Sequence, residues 1–454
     1  MSDYSEYIGD WWLPENPEKK IQGVLTYTNA KRPVLKLTGT FNKNLIQDEE
    51  FYEIILGDAY GEKITLKTCA RNKATFVNQN FDCIKSEFSV GTYFVGHHFL
   101  KKEDIKFIRL SARFSQLEDW LGEKFYEFKI EKKEDGIVEQ IFKISLPIEK
   151  KFNLDNFKIS TSYSCSHGRQ GYGKTKLESN AIVSVDVLEA MPIEELFFIL
   201  YHFKNFLNLA TGYKVTILSL SGINSKLTST KIFYRKNISP EKIYPHYFPF
   251  NYNSISKKSK FYLQNWFNFV ERIKPTYELF FGTVYNPELY PTLTFLSYAQ
   301  ALESYHSRTY DNKGVVSDEL FNDLESRIRQ AIKKMILEPE NRQHFYSQAG
   351  HMNQKNLKTR IEDLFQKHGN LFAIFISNKD EFIQKVLDTR NFYTHYIKKF
   401  EEKAAKLLEL PFLSDKLRFM LFVILLKEMG FDDEFTMMSL RQYMNFTAVR
   451  RIYY

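Results

Sequence analysis

Asp388-Thr389-Arg390-Asn391-Phe392-Tyr393-Thr394-His395-Tyr396 sets an arginine and a histidine five positions apart inside an amphipathic helical pattern. With Ile383, Val386, Leu387, Thr394 and Ile397 taken as one face at about 100° per residue, Arg390 falls near the centre of the apolar stripe, where a lone guanidinium is costly to desolvate. His395 lies roughly 140° round an ideal helix from it. Asp388, Asn391 and His395, spaced three and four apart, share a polar face beside the apolar one.

The chain around this stretch keeps the helical period. Phe261 to Lys274, Leu293 to Tyr310, Asp318 to Ile336, Leu357 to Phe365, Lys379 to Phe400, Leu413 to Met429 and Asp433 to Phe446 read as helices, with Gly430 as a terminator. Short connections between helices of this length imply an antiparallel bundle. The longest unbroken apolar run, Phe419 to Leu426, is far short of the roughly 20 residues that a bilayer span needs, so it reads as a buried helix.

Arg390-Asn391-x-x-x-His395 is the Arg-x4-His motif of HEPN domains, and the whole nonapeptide resembles the version in ApeA-type anti-phage proteins. Leu296 to His306 resembles the early HEPN helix, in which Glu303 faces the motif helix. There Glu303 either pairs with Arg390 or caps a surface; pairing is favoured because an arginine on an apolar stripe needs a partner. The resemblance implies an endoribonuclease that needs no metal. The RNA's own 2′-hydroxyl attacks the adjacent phosphorus, leaving a 2′,3′-cyclic phosphate and a 5′-hydroxyl. The protein must move protons and stabilise a more negative phosphorane. Imidazole does the first near neutrality, and guanidinium forks onto phosphate oxygens.

His395 is therefore the expected acid/base group and Arg390 the phosphate clamp. Asn391 is placed to orient the imidazole or the phosphate, with Asp388 and Glu303 as supporting residues. Tyr393 and Tyr396 either stack on a base or pack. Lys398, Lys399 and Lys174 are the candidate RNA-contacting lysines. In HEPN enzymes generally two motifs meet across a dimer, so a homodimer or larger homo-oligomer is expected, with RNA as partner (tRNA among the candidates) and an unidentified phage-derived trigger.

The first half of the chain has a different period. Ile21 to Thr28 and Pro33 to Phe41 read as a hairpin, and Phe51 to Leu56, Ile64 to Thr68, Phe88 to Phe94 and Ile105 to Phe114 continue the alternation. The expected class is α+β: a β-rich, sandwich- or barrel-like domain at 1–240, a linker at 241–260 marked by Pro240, Pro245, Pro249 and Lys257-Lys258-Ser259-Lys260, and an all-α HEPN bundle at 261–454. Two helices interrupt the strands. Ser115-Gln116-Leu117-Glu118 reads as a capping box ahead of a turn stopped by Gly122, and Pro192 opens a second helix that ends at Gly212.

Gly9-Asp10-Trp11-Trp12-Leu13-Pro14 and Asn205 to Gly212 resemble the domain that precedes HEPN in ApeA-like proteins, so the resemblance covers nearly the whole chain. Trp11 and Trp12 are a base-stacking platform or core residues; packing is favoured. Gly168-Arg169-Gln170-Gly171-Tyr172-Gly173-Lys174-Thr175 fits the P-loop pattern letter for letter, yet the residues after it have no helical spacing, and a loop between antiparallel strands fits better.

Composition agrees with a globular chain: 454 residues, 16% aromatic, 26% charged, net charge +8 from 63 basic and 55 acidic residues without a basic arm. Three cysteines and the polar start Met1-Ser2-Asp3-Tyr4-Ser5-Glu6 point to the cytoplasm. Cys69, Cys83, His97 and His98 lack the short ligand spacings of structural zinc, so neither metal nor cofactor is expected. Beside the ribonuclease stand two alternatives: a non-catalytic HEPN module that binds RNA or protein, and, more distantly, a P-loop NTPase.

Overall fold

A computed structural model describes residues 4–28, 31–42, 50–76, 84–132, 136, 138–169, 175–234, 243–310, 314–336 and 338–453. The chain divides into two compact units, Met1–Lys260 and Phe261–Tyr454, the first β-rich and the second helical.

In the first unit the strands are β1 (Tyr4–Leu13), β2 (Asn16–Thr28), β3 (Val34–Leu37), β4 (Phe51–Ala59), β5 (Glu62–Phe76), β6 (Ile84–Val95), β7 (Lys106–Phe114), β8 (Tyr126–Lys132), β9 (Val138–Ile144), β10 (Lys151–Asn153), β11 (Lys158–Arg169), β12 (Thr175–Pro192), β13 (Ile217–Ile223) and β14 (Ser229–Tyr234). The antiparallel order β6-β3-β2-β1-β4-β5 closes on itself because β5 also pairs with β6, making a barrel. One edge of β6 is divided: Ser86–Ser89 pair with β3 and Thr92–Val95 with β14. From that second half a sheet continues outward as β14-β13-β7-β12-β11-β10. Alternation along the barrel strands turns Trp11, Leu25, Leu35, Ile55, Leu66, Phe88 and Tyr93 inward to form its core.

Polar and apolar residues mix along β1, and its pairing with β2 and β4 makes it a strand. Trp11 is fully buried in the barrel and Trp12 nearly so, with Lys20 over the Trp12 ring at 4.8 Å. The capping box fails. The short helix α1 (Leu117–Leu121) starts from Gln116 in the left-handed region, and Glu118 instead accepts the Ala181 N–H at 2.8 Å, tying the helix to β12. Gly122, with φ of 64°, closes α1 as expected. Pro192 ends β12 rather than opening the next helix; α2 (Ile193–Thr211) begins one residue later, stops at Gly212, and packs Leu196, Leu200 and Phe203 on β7 and β12.

In the P-loop-like stretch, Gly168 and Arg169 end β11 and Thr175 opens β12, with Arg169 paired to Thr175 across the antiparallel ladder. No helix follows it to cradle a phosphate, as P-loop binding needs. Lys174 itself lies outside the described residues, as does Cys83. Of the expected linker, residues 243–260 are described; they carry the turn α3 (Tyr252–Ile255) and pack within the first unit: the Phe250 N–H donates to Ala210 O at 3.1 Å, and the Tyr252 ring meets Trp120 edge-on at 5.7 Å.

The second unit holds α4 (Ser259–Arg272), α5 (Lys274–Tyr285), α6 (Pro291–Thr309), α7 (Asp318–Met335), α8 (Pro339–His351), α9 (Leu357–Phe372), α10 (Lys379–His395), α11 (Glu409–Met429) and α12 (Asp433–Tyr453). α11 is its axis. Apolar residues surround it on all sides, Phe419 through Leu426 are all buried, and α6, α9 and α12 pack on it. Pro411 sits in its first turn, where no intrahelical donor is lost, so the helix starts before Leu413. α9 runs past Phe365 because Leu371 and Phe372 give its second half a buried face. Among the described residues no helix is long and apolar enough to cross a membrane.

Candidate active site

α10 begins at an Asn378 cap, whose side chain accepts the Glu381 N–H at 3.2 Å, with Asp380 and Glu381 in the first turn where the helix dipole favours acids. It ends at His395 rather than at Phe400. Tyr396 takes φ of 51° and ψ of 35°, and its N–H closes on Phe392 O. A left-handed tyrosine is uncommon. It stops the helix inside the expected span, leaving Ile397 exposed and Lys398 and Lys399 in a separate 3₁₀ turn.

The early stop changes the faces. Phe382, Ile383, Val386, Asp388 and Thr389 are the buried residues, while Thr394 is exposed. Arg390 therefore sits at the margin of the apolar face, not at its centre, with its side chain about one-third exposed (34%). Its Nη2 stands 3.8 Å from Glu303 Oε1 on α6, and its Nη1 lies 3.4 Å from Asn391 Oδ1. Asp388 does not join Asn391 and His395 on a polar flank. It is buried and accepts from Gln384 Nε2 at 3.0 Å, and it lines a separate cavity of about 460 Å³ with Lys385, Glu409 and Phe412.

His395 is exposed, and among the described residues no hydrogen bond joins it to Arg390. The structure thus brings Arg390, Asn391 and Glu303 together, leaves His395 facing solvent about one turn further on, and keeps Asp388 apart. Tyr396 is 71% exposed, its ring edge-on to Phe392 at 5.7 Å. Tyr393 instead donates its hydroxyl to Ala405 O at 3.1 Å, and burial pushes that hydroxyl's pKa up. Lys385, Thr389 and Tyr393, spaced by four, form one ridge that holds Lys403 and Ala405 along the helix.

Sequence reasoning missed a second set beside Glu303. Arg360 on α9 donates from Nη1 to Glu303 O at 3.0 Å and to Ser307 Oγ, and from Nε to Lys355 O at 2.9 Å. Asp363 Oδ2 takes both His306 Nε2 and Lys355 Nζ at 2.7 Å. Burial pushes the His306 pKa down against the pull of Asp363. Burial also raises the Asp363 carboxyl, but its bonds to Lys355 and His306 prevail and hold it below the usual range. Spacing put Glu303, His306 and Ser307 on one face of α6, but nothing in the sequence singled out Arg360, whose partners are mainly backbone carbonyls.

This architecture coincides with two family matches. Residues 6–266 match ApeA N-terminal domain 1, more than half the chain. The chain belongs to the ApeA family. Residues 296–435 match the Apea-like HEPN domain, which spans α6 to the start of α12 and contains Glu303, Arg360, Arg390 and His395. No curated protein and no solved structure matches the chain. At this level it is a HEPN-type anti-phage protein, and HEPN domains are generally nuclease domains.

Chemically, the set suits an anionic ester. A guanidinium held at its inner edge by Glu303 and Asn391 keeps hydrogens for phosphate oxygens. The exposed imidazole of His395, about one turn further along the helix, can exchange protons with substrate.

Proposed function

We propose that this chain is a metal-independent endoribonuclease of anti-phage defence, acting in the cytoplasm on cellular RNA, with tRNA a candidate, once a phage-derived cue is present. The observation that carries the reading is the end of α10, where Arg390 is steadied by Glu303 and Asn391 while His395, the last helical residue, stays open to solvent. Arg390 clamps the scissile phosphate and His395 moves the proton in 2′-hydroxyl attack, giving a 2′,3′-cyclic phosphate and a 5′-hydroxyl. Lys398 and Lys399, exposed just beyond, supply further contacts to the strand. The angular offset between Arg390 and His395 supports a composite site in a homodimer, each copy's pair completing the other's.

The test is cleavage of total RNA and purified tRNA with EDTA present, by wild type, Arg390→Ala and His395→Ala, with and without phage lysate, and with fragment ends analysed. Cutting by wild type alone with cyclic phosphate ends is the expected result. Equal RNA binding by all three with no cutting under any condition overturns it and leaves a binding module.

A further inference from the structure

A cavity of about 510 Å³ has Ser307, Phe321, Gln354, Lys355 and Arg360 in its wall. Arg360 is set in place before any ligand arrives, since three acceptors fix its Nε and Nη1. Its Nη2 has no acceptor among the described residues. Lys355 spends one of three ammonium hydrogens on Asp363, whose same oxygen also serves the buried His306. The cavity therefore holds a pre-oriented guanidinium edge and ammonium hydrogens still to be filled.

Glu303 ties this cavity to the motif helix. Arg360 sits on its carbonyl at 3.0 Å and Arg390 lies 3.8 Å from its carboxylate, so one residue of α6 separates the two guanidinium groups. Glu303 thus contacts both guanidinium groups, one through its carbonyl and one through its carboxylate. Asp318 on the same wall and Asp363 behind it bring the formal charge of Lys355, Arg360 and these two acids to zero. Such a balance suits a monoanionic diester bound by directed hydrogen bonds and disfavours a dianionic free phosphate.

We infer that Arg360 and Lys355 form a second phosphate subsite, which takes a backbone diester of the strand whose scissile phosphate Arg390 holds. The inference rests on the ribonuclease reading and deepens it. Neither residue touches the reacting atoms; both position the strand.

The test measures binding of a short, uncleavable 2′-fluoro RNA across a salt series by wild type, Lys355→Gln and Arg360→Gln, beside cleavage of tRNA by the same proteins. Each lost phosphate contact is expected to lower the slope of log affinity against log salt by about 0.7. Affinity should fall severalfold, with KM raised more than kcat lowered, and inorganic phosphate should not compete. A merely structural role for Arg360 moves the melting temperature and leaves the slope alone; Lys355→Gln, at a partly exposed position, keeps the test valid if Arg360→Gln fails to fold. Unchanged slopes and KM in Lys355→Gln, with wild type still cutting, overturn the subsite and leave the ribonuclease standing. Wild type that neither binds nor cuts, with phage lysate present, overturns both.

Discussion

Arg390 and Glu303 face each other across α10 and α6 at 3.8 Å, with side chains 34% and 28% exposed. A pair so open to water contributes little to stability, about 0–1 kcal/mol. Its value lies in aiming the guanidinium. Glu303→Gln should leave the denaturation midpoint almost unmoved and lower RNA cleavage by roughly tenfold to a hundredfold, the scale of a small misplacement of a phosphate clamp. Paired denaturant and steady-state measurements check this. Undiminished cleavage would show that Asn391 alone orients Arg390.

Thr389 Oγ1 accepts the Ala405 N–H at 2.9 Å, and both residues are fully buried. Removing the acceptor leaves a backbone donor with neither water nor partner. Thr389→Val, close in shape, should cost about 1–3 kcal/mol. Tyr393→Phe, which removes the donation from a half-buried tyrosine to the Ala405 carbonyl, should cost less, roughly 1 kcal/mol. Urea unfolding of the two variants gives the comparison. Equal costs would mean that residues 403–405 are held by packing instead.

The two periods were legible. Alternation in the first half and helical spacing in the second named the class, because burying one face imposes the same pattern on any sheet or bundle. Barrel closure was not, since it depends on β3 meeting β6 and β1 meeting β4, pairings between strands far apart in sequence that no local pattern encodes. Nor was the end of α10. Lys398, Lys399 and Phe400 keep helical spacing, and only the left-handed turn at Tyr396 breaks it. Arg390 was singled out by its place on an apolar stripe, and Glu303 by the resemblance of Leu296 to His306 to an early HEPN helix. Arg360 was not, because its partners are mainly backbone carbonyls, which every sequence supplies.

In the barrel, an added Cβ at Gly57 would lie 2.3 Å from Cε3 of Trp11, whose ring is fully buried. Neither the ring nor the β1–β4 ladder has room to yield. Gly57→Ala should destabilise the first unit by about 1–3 kcal/mol or more, through overpacking. Intrinsic tryptophan emission should report it, with Trp11 becoming accessible to quencher. Gly61→Ala, where nothing lies within 4 Å but φ is +78°, isolates backbone strain from crowding as the control.

His368 on α9 is buried, and its Nε2 has no hydrogen-bond partner among the described residues. Burial, with Lys367 and Lys427 nearby, pushes its pKa down to about 4. In the unfolded chain an imidazole titrates near 6.5. Between those values the unfolded state binds more protons than the folded one, so stability rises with pH there. Acidification should remove stability progressively from about pH 6.5 to about pH 4, by roughly 3 kcal/mol from this residue, with no further loss from it below. His306, also lowered by burial, adds a loss of the same sign, whereas the lowered Asp363 acts below this window. His368→Leu cannot take the proton, so its unfolding free energy should fall less steeply, and the difference from wild type should grow as pH drops from 6.5 to 4. Denaturant titrations at half-unit pH steps measure that difference. A wild-type profile parallel to the variant's would show that folded His368 protonates as readily as a free imidazole.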